Sequence, residues 1–242
     1  MDESSINNIN KLIDCALDIA SKHYTKSEIL DILNNDNDLE KPLAIVSLEV
    51  QSKEDAGLLI KHLTGCDGRI REVSALKISE FLTCEETSKY FFDENSVKTI
   101  LNGIMDINPN VGRALIEGIK ECKQMQTLLF PHLIERIEEI INKLKEIAAL
   151  PFKENKLNNR KNHAKNKIMF NLYWALEALC CTDFDNNTHA LYDILSFTSV
   201  CFDYTIREKS AKIIAKMKNP PADLLHKLKN DENFYVKNQL LC

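Results

Sequence analysis

The sequence predicts an all-α fold, an α-solenoid in which antiparallel helix pairs stack along the chain. The first indication is a repeated segment: residues 67–78 and 203–214 are identical at seven of twelve positions, and each begins a helical pattern. The second is that apolar residues recur at three- and four-residue spacing, the period of one helix face. The third is a scarcity of turn residues, since six Gly and six Pro in 242 residues favour helices with short connections.

The residues shared by the two copies have readable structural roles. They are Asp67 and Asp203, Ile70 and Ile206, Arg71 and Arg207, Glu72 and Glu208, Ser74 and Ser210, Ala75 and Ala211, and Ile78 and Ile214. The aspartate can accept a hydrogen bond from an exposed N–H at a helix start, so it is predicted to be a cap. The small Ser-Ala pair lets a neighbouring helix approach closely. The arginine is expected to reach across to the next repeat and meet its aspartate.

The remaining elements follow from caps and periodicity in chain order. Residues 6–20 carry a helical stripe, and Thr25 with Glu28 forms a capping-box pattern that opens the next helix. Helices are predicted at 42–50, 52–64 and 67–82. Asp93 is predicted to cap a helix, and Asn108 before Pro109 begins another. A long helix is predicted over 131–150, followed by helices at 168–181, 187–198, 204–218, 221–229 and 232–241.

A basic, Asn-rich stretch divides this pattern. The sequence predicts N-terminal helical repeats over residues 1–151, a linker or loop over 152–167 and C-terminal repeats over 168–242, unless the chain is one continuous solenoid. Residues 153–167 hold six basic side chains against one acidic one. Two interpretations are open for this stretch: a solvated linker, which is favoured, or a contact with nucleic acid or an acidic protein.

Charge and cysteine usage exclude several classes of function. The net charge of -5 argues against a broad nucleic-acid surface, because phosphate binding is driven by Lys and Arg. Nothing approaches the roughly 18 consecutive apolar residues of a membrane span, and the acidic N-terminus has no signal-peptide pattern. Eight cysteines without a CxxC pair are therefore predicted to be free thiols in a cytoplasmic protein.

Sequence patterns of known catalytic chemistry are missing. The chain has no phosphate-binding loop, no GxSxG elbow and no HExxH pair. His62 and Cys66 are four residues apart, but zinc needs three or four ligands and no second pair is evident. We therefore predict no catalytic residues, no cofactor and no metal site.

One short pattern carries a resemblance to a known family. Asp or Asn, two residues, Ile or Val, and then Arg or Lys occurs at residues 67–71, 203–207 and 233–237, whereas composition alone predicts roughly 0.6 matches. Residues 108–113 are a looser relative in which the arginine is displaced by one. The pattern resembles HEAT-like repeats, including the short bacterial form related to phycobilisome-lyase repeats. The resemblance implies a HEAT/armadillo-like superhelix of degenerate repeats.

A repeat scaffold without catalytic motifs predicts a non-catalytic protein-interaction scaffold or adaptor whose partner binds the solenoid surface. Alternatives are a nucleic-acid-associated repeat protein, such as an atypical HEAT-like DNA glycosylase, and, by resemblance alone, a lyase- or maturation-type helper. The predicted partner-binding residues are Lys153, Lys156, Arg160, Lys161, Lys165, Lys167 and Trp174.

Positions that are identical in the two repeated segments and positions that differ between them lead to two further expectations. Arg71 and Arg207 could bind an acidic partner, but their recurrence at the same helix position favours a structural ladder between repeats. The binding site is then expected where the copies differ, namely at Gly68 and Tyr204, Arg69 and Thr205, and Val73 and Lys209.

Overall fold

The computed structural model describes residues 23–35, 39–149, 157–184 and 188–241. These ranges contain thirteen α-helices and one 3-10 helix, and no strand is found in them. In chain order the helices are α1 (Lys26–Asn34), α2 (Lys41–Ser47), α3 (Lys53–Leu63), α4 (Gly68–Leu82), α5 (Glu85–Ser88), α6 (Glu94–Ile104), α7 (Pro109–Glu121), α8 (Lys123–Ala149), α9 (Leu157–Cys181), α10 (Thr188–Thr198), α11 (Tyr204–Lys216), α12 (Ala222–Lys229) and α13 (Phe234–Asn238), with the 3-10 helix at Lys89–Phe91. The all-α prediction is confirmed.

Local capping rules explain where several helices begin. The predicted capping box is present at α1, where the Thr25 side chain accepts from the Glu28 N–H and the Glu28 side chain accepts from the Thr25 N–H. Asp93 caps α6 by accepting a hydrogen bond from the Ser96 N–H. Asn108 caps α7, with Pro109 in its first turn. The predicted helix starts are therefore confirmed wherever a polar cap precedes an apolar stripe.

Helix α8 is longer than the sequence predicts. It begins at Lys123, so Pro131 lies inside the helix instead of at its start. A proline within a helix lacks one backbone donor and normally weakens that turn. Here Met125, Leu129 and Leu133 are fully buried on both sides of the proline. Burial of this apolar face outweighs the lost hydrogen bond, because each large buried side chain contributes about 1.5–3 kcal/mol.

Helix α9 also departs from the prediction. It begins at Leu157, so residues 157–167 are helical where the sequence predicts a linker or loop over 152–167. Lys and Arg are good helix formers, and Leu172 and Ala175 further along the helix are fully buried. The basic stretch therefore extends a helix that the core already anchors.

Packing connects the helices in two series. Helices α2, α4, α7, α9, α11 and α13 each pack on the next member of that series, as do α3, α6, α8 and α10. The pairs α3–α4, α6–α7, α8–α9 and α10–α11 join the two series, while α1 packs on α2 and α12 packs on α13. A single apolar core consequently runs from Ile29 to Val236.

Small residues allow the close approach of α4 and α7, which form the most extensive of these contacts. A Cβ added to Gly118 would lie 2.7 Å from the Ser79 Cα, so α7 can approach α4 at this point only with glycine. Ser74 and Ala75 in α4 are completely buried. The predicted role of the Ser-Ala pair in close helix packing is consistent with this burial.

Candidate functional site

Arg71 connects α4 to the turn that precedes α7. Its Nε and Nη2 atoms donate to the two carboxylate oxygens of Asp106, at 2.7 and 3.0 Å. Its Nη1 donates to the carbonyl oxygens of Gly65 and Cys66, at 2.9 Å each. The same carboxylate accepts a hydrogen bond from the Asn108 N–H at 2.7 Å. One aspartate therefore ties the arginine of one helix to the cap of the next.

Arg207 repeats this geometry between α11 and α13. Its Nε and Nη2 donate to the carboxylate of Asp231 at 2.7 and 3.0 Å, and its Nη1 donates to the carbonyl oxygens of Cys201 and Phe202. Asp231 also accepts from the Asn233 N–H at 2.8 Å. Hydrogen bonding to the carboxylate raises the pKa of Arg207 above its usual value, even though burial acts in the opposite direction.

Asp67 and Asp203, the aspartates of the repeated segments, do not pair with the arginines. Asp67 accepts from the N–H groups of Arg69 and Ile70, at 2.7 and 3.2 Å, and these hydrogen bonds lower its pKa. Asp203 accepts from the Thr205 N–H at 2.9 Å. Both are helix caps. The carboxylate that meets each arginine belongs instead to the residue two positions before the next cap.

The arginine contacts are interrupted at α7. Arg113, the displaced arginine of the looser repeat, is exposed, and the one hydrogen bond found for its side chain in the described part of the chain goes to the Asn110 side chain, at 3.3 Å. Gly112 occupies the position equivalent to Arg71. A Cβ there would collide with the Ile104 carbonyl oxygen, so the close approach of α6 excludes any side chain.

Two glutamates reinforce the contacts, and the sequence reasoning did not assign them a role. Glu72 accepts from the side-chain amides of Asn108 and Asn110 at 2.9 and 3.1 Å. Glu208 accepts from the side-chain amide of Gln239 at 3.2 Å. The sequence does indicate a shared role for the two glutamates, because they occupy the same position in both copies. Each directly follows an arginine that also reaches the next helix.

Lys209 lies inside the protein rather than on its surface. It is 4% exposed, its Nζ lies 2.6 Å from Oε2 of Glu177 and 4.7 Å from the centre of the Tyr173 ring. Its counterpart Val73 packs against the apolar core. This pair of differing positions therefore does not fit the expected binding surface, whereas Tyr204, another differing position, is 41% exposed.

Four exposed aromatic residues lie around the starts of α11 and α13, and we call them the aromatic edge: Phe202, Tyr204, Phe234 and Tyr235. Their exposed fractions are 70%, 41%, 65% and 60%. The rings of Tyr204 and Tyr235 are stacked with centres 6.3 Å apart, and Phe234 meets Tyr235 edge-on at 5.8 Å. The Nζ of Lys165 lies 4.1 Å from the centre of the Phe202 ring. The edge thus combines a stacked apolar surface with a cation.

A cleft of about 240 Å³, which we call the basic cleft, opens between α6, α8 and α9. Its polar lining consists of Asn102, Arg136, Lys143, Lys167 and Asn171. The Nη2 of Arg136 donates to the Asn102 side-chain oxygen at 3.3 Å. Among the described residues that line it, none carries a carboxylate.

The predicted partner-binding residues of the basic stretch do not form one surface among the residues that the structure describes. Lys165 contributes to the aromatic edge and Lys167 to the basic cleft. Lys153 and Lys156 lie outside the described residues, as do the side chains of Arg160 and Lys161, although both belong to α9.

Trp174 does not fit the predicted partner contact. It is only 8% exposed and meets Phe170 and Tyr173 edge-on, at 6.1 and 5.4 Å. No hydrogen-bond partner of its Nε1 is found in the described part of the chain. Its ring fills the core and offers no face on which a nucleic-acid base could stack.

His62 and Cys66 are also separated by their environments. His62 is buried, with Nε2 3.1 Å from the Leu33 carbonyl oxygen, whereas Cys66 is exposed. Across the described ranges, no group of three His, Cys, Asp or Glu side chains could hold a metal ion.

No family model matches the sequence, and no curated protein matches it at a significant level. The resemblance to HEAT-like repeats stays a prediction from residues 67–78, 203–214 and 233–237. Among the helices described, none is both long and apolar enough to cross a membrane.

Proposed function

We propose that the chain is an α-solenoid of degenerate HEAT-like helix pairs. The two series of successively packed helices, joined pair by pair, support this arrangement. The Arg71–Asp106 and Arg207–Asp231 contacts support it further, because identical chemistry joins successive helices of one series at two distant places. Nearest-neighbour contacts of this kind are what stabilise a repeat protein.

The proposed function is a non-catalytic scaffold that binds a protein partner through the aromatic edge. The observation that carries it is the stacking of exposed Tyr204 and Tyr235 beside Phe234. Tyr and Phe are enriched at protein interfaces, and aromatic residues dominate binding energy there. Contiguous exposed apolar surface is uncommon on a protein that binds nothing.

The backbone beneath the aromatic edge is held in place before any partner binds. Asp203 and Asn233 cap the two helices, and Arg207 fixes the turn before each of them. A surface that is already ordered loses less conformational entropy on association. The aromatic rings are therefore presented on a rigid support.

The test is quantitative capture of proteins from a cell extract by the wild-type chain and by two variants. The first variant, Phe234→Ser with Tyr235→Ser, removes exposed rings at the aromatic edge. The matched control, Leu76→Ser, removes a side chain that is 55% exposed on α4. We expect specific proteins to be lost by the first variant and retained by the control; capture of the same set by all three chains would contradict the proposal.

A further inference from the structure

We propose that the basic cleft binds a phosphate monoester group. This site is distinct from the aromatic edge and does not depend on the proposed scaffold function. It lies where α8 contributes Arg136 and Lys143, α9 contributes Lys167, and the amides of Asn102 and Asn171 complete the polar lining.

The charge of the basic cleft points to an anion. Arg136 and Lys143 lie seven residues apart on α8, which puts them on one face of the helix. Lys167 faces them from α9. The Glu139 carboxylate lies 3.5 Å from the Arg136 Nε and partly balances that charge. Within the part of the chain that the structure describes, neither Lys143 nor Lys167 has a carboxylate within ion-pair distance, so two positive charges are left for a ligand.

The donor set suits phosphate better than a single carboxylate. A dianionic phosphate presents three strong acceptor oxygens, and the cleft offers one guanidinium, two ammonium groups and two side-chain amides. Arginine binds phosphate through its planar fork, while lysine contributes a point charge. The amides can donate to oxygens that the cations do not reach.

The size of the basic cleft argues for one terminal group rather than a long polyanion. Its volume of about 240 Å³ is below the roughly 300–1,000 Å³ of a site for a whole drug-sized molecule. A nucleic-acid backbone needs a basic track along the surface, but the net charge of this chain is -5. The cleft would thus anchor one phosphate while the rest of the ligand extends outside it.

Binding is tested by calorimetric titration of the full chain with inorganic phosphate in a buffer of low ionic strength. The variants are Lys143→Ala and Lys167→Ala, both at exposed positions that should not affect folding. The control is Lys123→Ala, which removes the same charge from an exposed position at the start of α8. Unchanged unfolding temperatures would establish that the variants are folded.

We expect one saturable site in the wild-type chain and affinity reduced by about tenfold in each cleft variant. The control should bind as the wild type does. Absence of saturable binding by the wild type would overturn the proposal, and so would an equal effect of all three substitutions or of none.

Further titrations identify the source of the phosphate. Glycerol 3-phosphate represents a small metabolite, and a phosphoserine peptide with its unphosphorylated twin represents a modified protein. If either ligand binds more tightly than inorganic phosphate, and if its binding is weakened by the Lys143 and Lys167 substitutions, the result supports the site. The tighter ligand then identifies the source of the phosphate. A single-stranded oligonucleotide that binds more tightly than both through the same lysines would overturn it in favour of nucleic acid.

Discussion

The carboxylate of Asp231 accepts two hydrogen bonds from Arg207 and a third from the Asn233 N–H, so one side chain joins α11 to the cap of α13. The arginine and aspartate side chains are only 11% and 9% exposed. Ion pairs on the surface contribute little because water and salt screen them. A two-pronged pair that is largely withdrawn from water, with its remaining donors on backbone carbonyls, is expected to couple the helices more strongly.

The first prediction concerns this coupling. In a double-mutant cycle of Arg207→Ala and Asp231→Ala, we expect a coupling free energy of about 1–3 kcal/mol, since the hydrogen bonds are charge-assisted. Urea unfolding of the four chains measures it. The exposed pair of Lys98 and Glu94 serves as the control and should show much smaller coupling. If the losses of unfolding free energy from the Arg207 and Asp231 substitutions simply add, the pair does not couple the two helices and the prediction is wrong.

The second prediction concerns acid stability. The hydrogen bond from Arg207 lowers the pKa of Asp231 below its usual 3.8, with the Asn233 N–H contributing in the same direction and burial opposing it. The folded form then prefers the charged carboxylate, so its contribution to stability is present above about pH 4 and lost as the pH falls through the lowered pKa.

The Asp231→Asn variant checks that acid dependence. It should be less stable than the wild type at pH 7, and the difference between the two unfolding free energies should shrink as the pH is lowered from about 5 to 2. Denaturant unfolding at several pH values provides the measurement. Parallel curves for the two chains would mean that this carboxylate does not contribute to the acid transition.

The third prediction separates two equivalent serines. The Ser210 hydroxyl lies 2.7 Å from the Thr198 hydroxyl oxygen and 3.1 Å from the Ile206 carbonyl oxygen. The Ser74 hydroxyl is equally buried, and no partner for it is found among the described residues. Ser210→Ala should therefore cost about 1 kcal/mol, while Ser74→Ala should be neutral or stabilising. Unfolding temperatures compare them directly, and equal losses at both sites would refute the distinction.

The aspartates show which contacts the sequence could predict and which it could not. The caps Asp67 and Asp203 were predictable because capping is decided by residues two or three positions apart. The partners Asp106 and Asp231 were not, because they lie 35 and 24 residues from their arginines and share no common spacing. Recurrence identified the arginines, but only the packed structure reveals what each one meets.

The two candidate surfaces were even less accessible to sequence reasoning. Lys167 belongs to a basic run of the sequence, yet the basic cleft also needs Arg136 and Lys143 from another helix. The aromatic edge joins Tyr204 to Phe234 and Tyr235, which follow a later cap. Periodicity describes one helix at a time, so it does not indicate which residues of separate helices meet at a surface.

The last prediction concerns the buried ion pair of Lys209 and Glu177, which links α11 to α9. Burial alone would lower the pKa of Lys209, but the hydrogen bond and charge of Glu177, together with Tyr173, outweigh it and raise the pKa above its usual 10.5. The contribution to stability is therefore fully present below about pH 10.5 and lost as the pH rises through the raised pKa. Lys209→Met leaves the glutamate charge without its partner and should cost about 3 kcal/mol.

A second substitution shows whether charge or packing causes that loss. Adding Glu177→Leu removes the unpaired charge, so the double variant should recover most of the unfolding free energy at pH 7. The double variant should also lack the loss of stability above about pH 10.5 that we expect of the wild type. Urea unfolding over this pH range tests both statements. A double variant as unstable as Lys209→Met alone would contradict the statement that the unpaired Glu177 charge causes the loss.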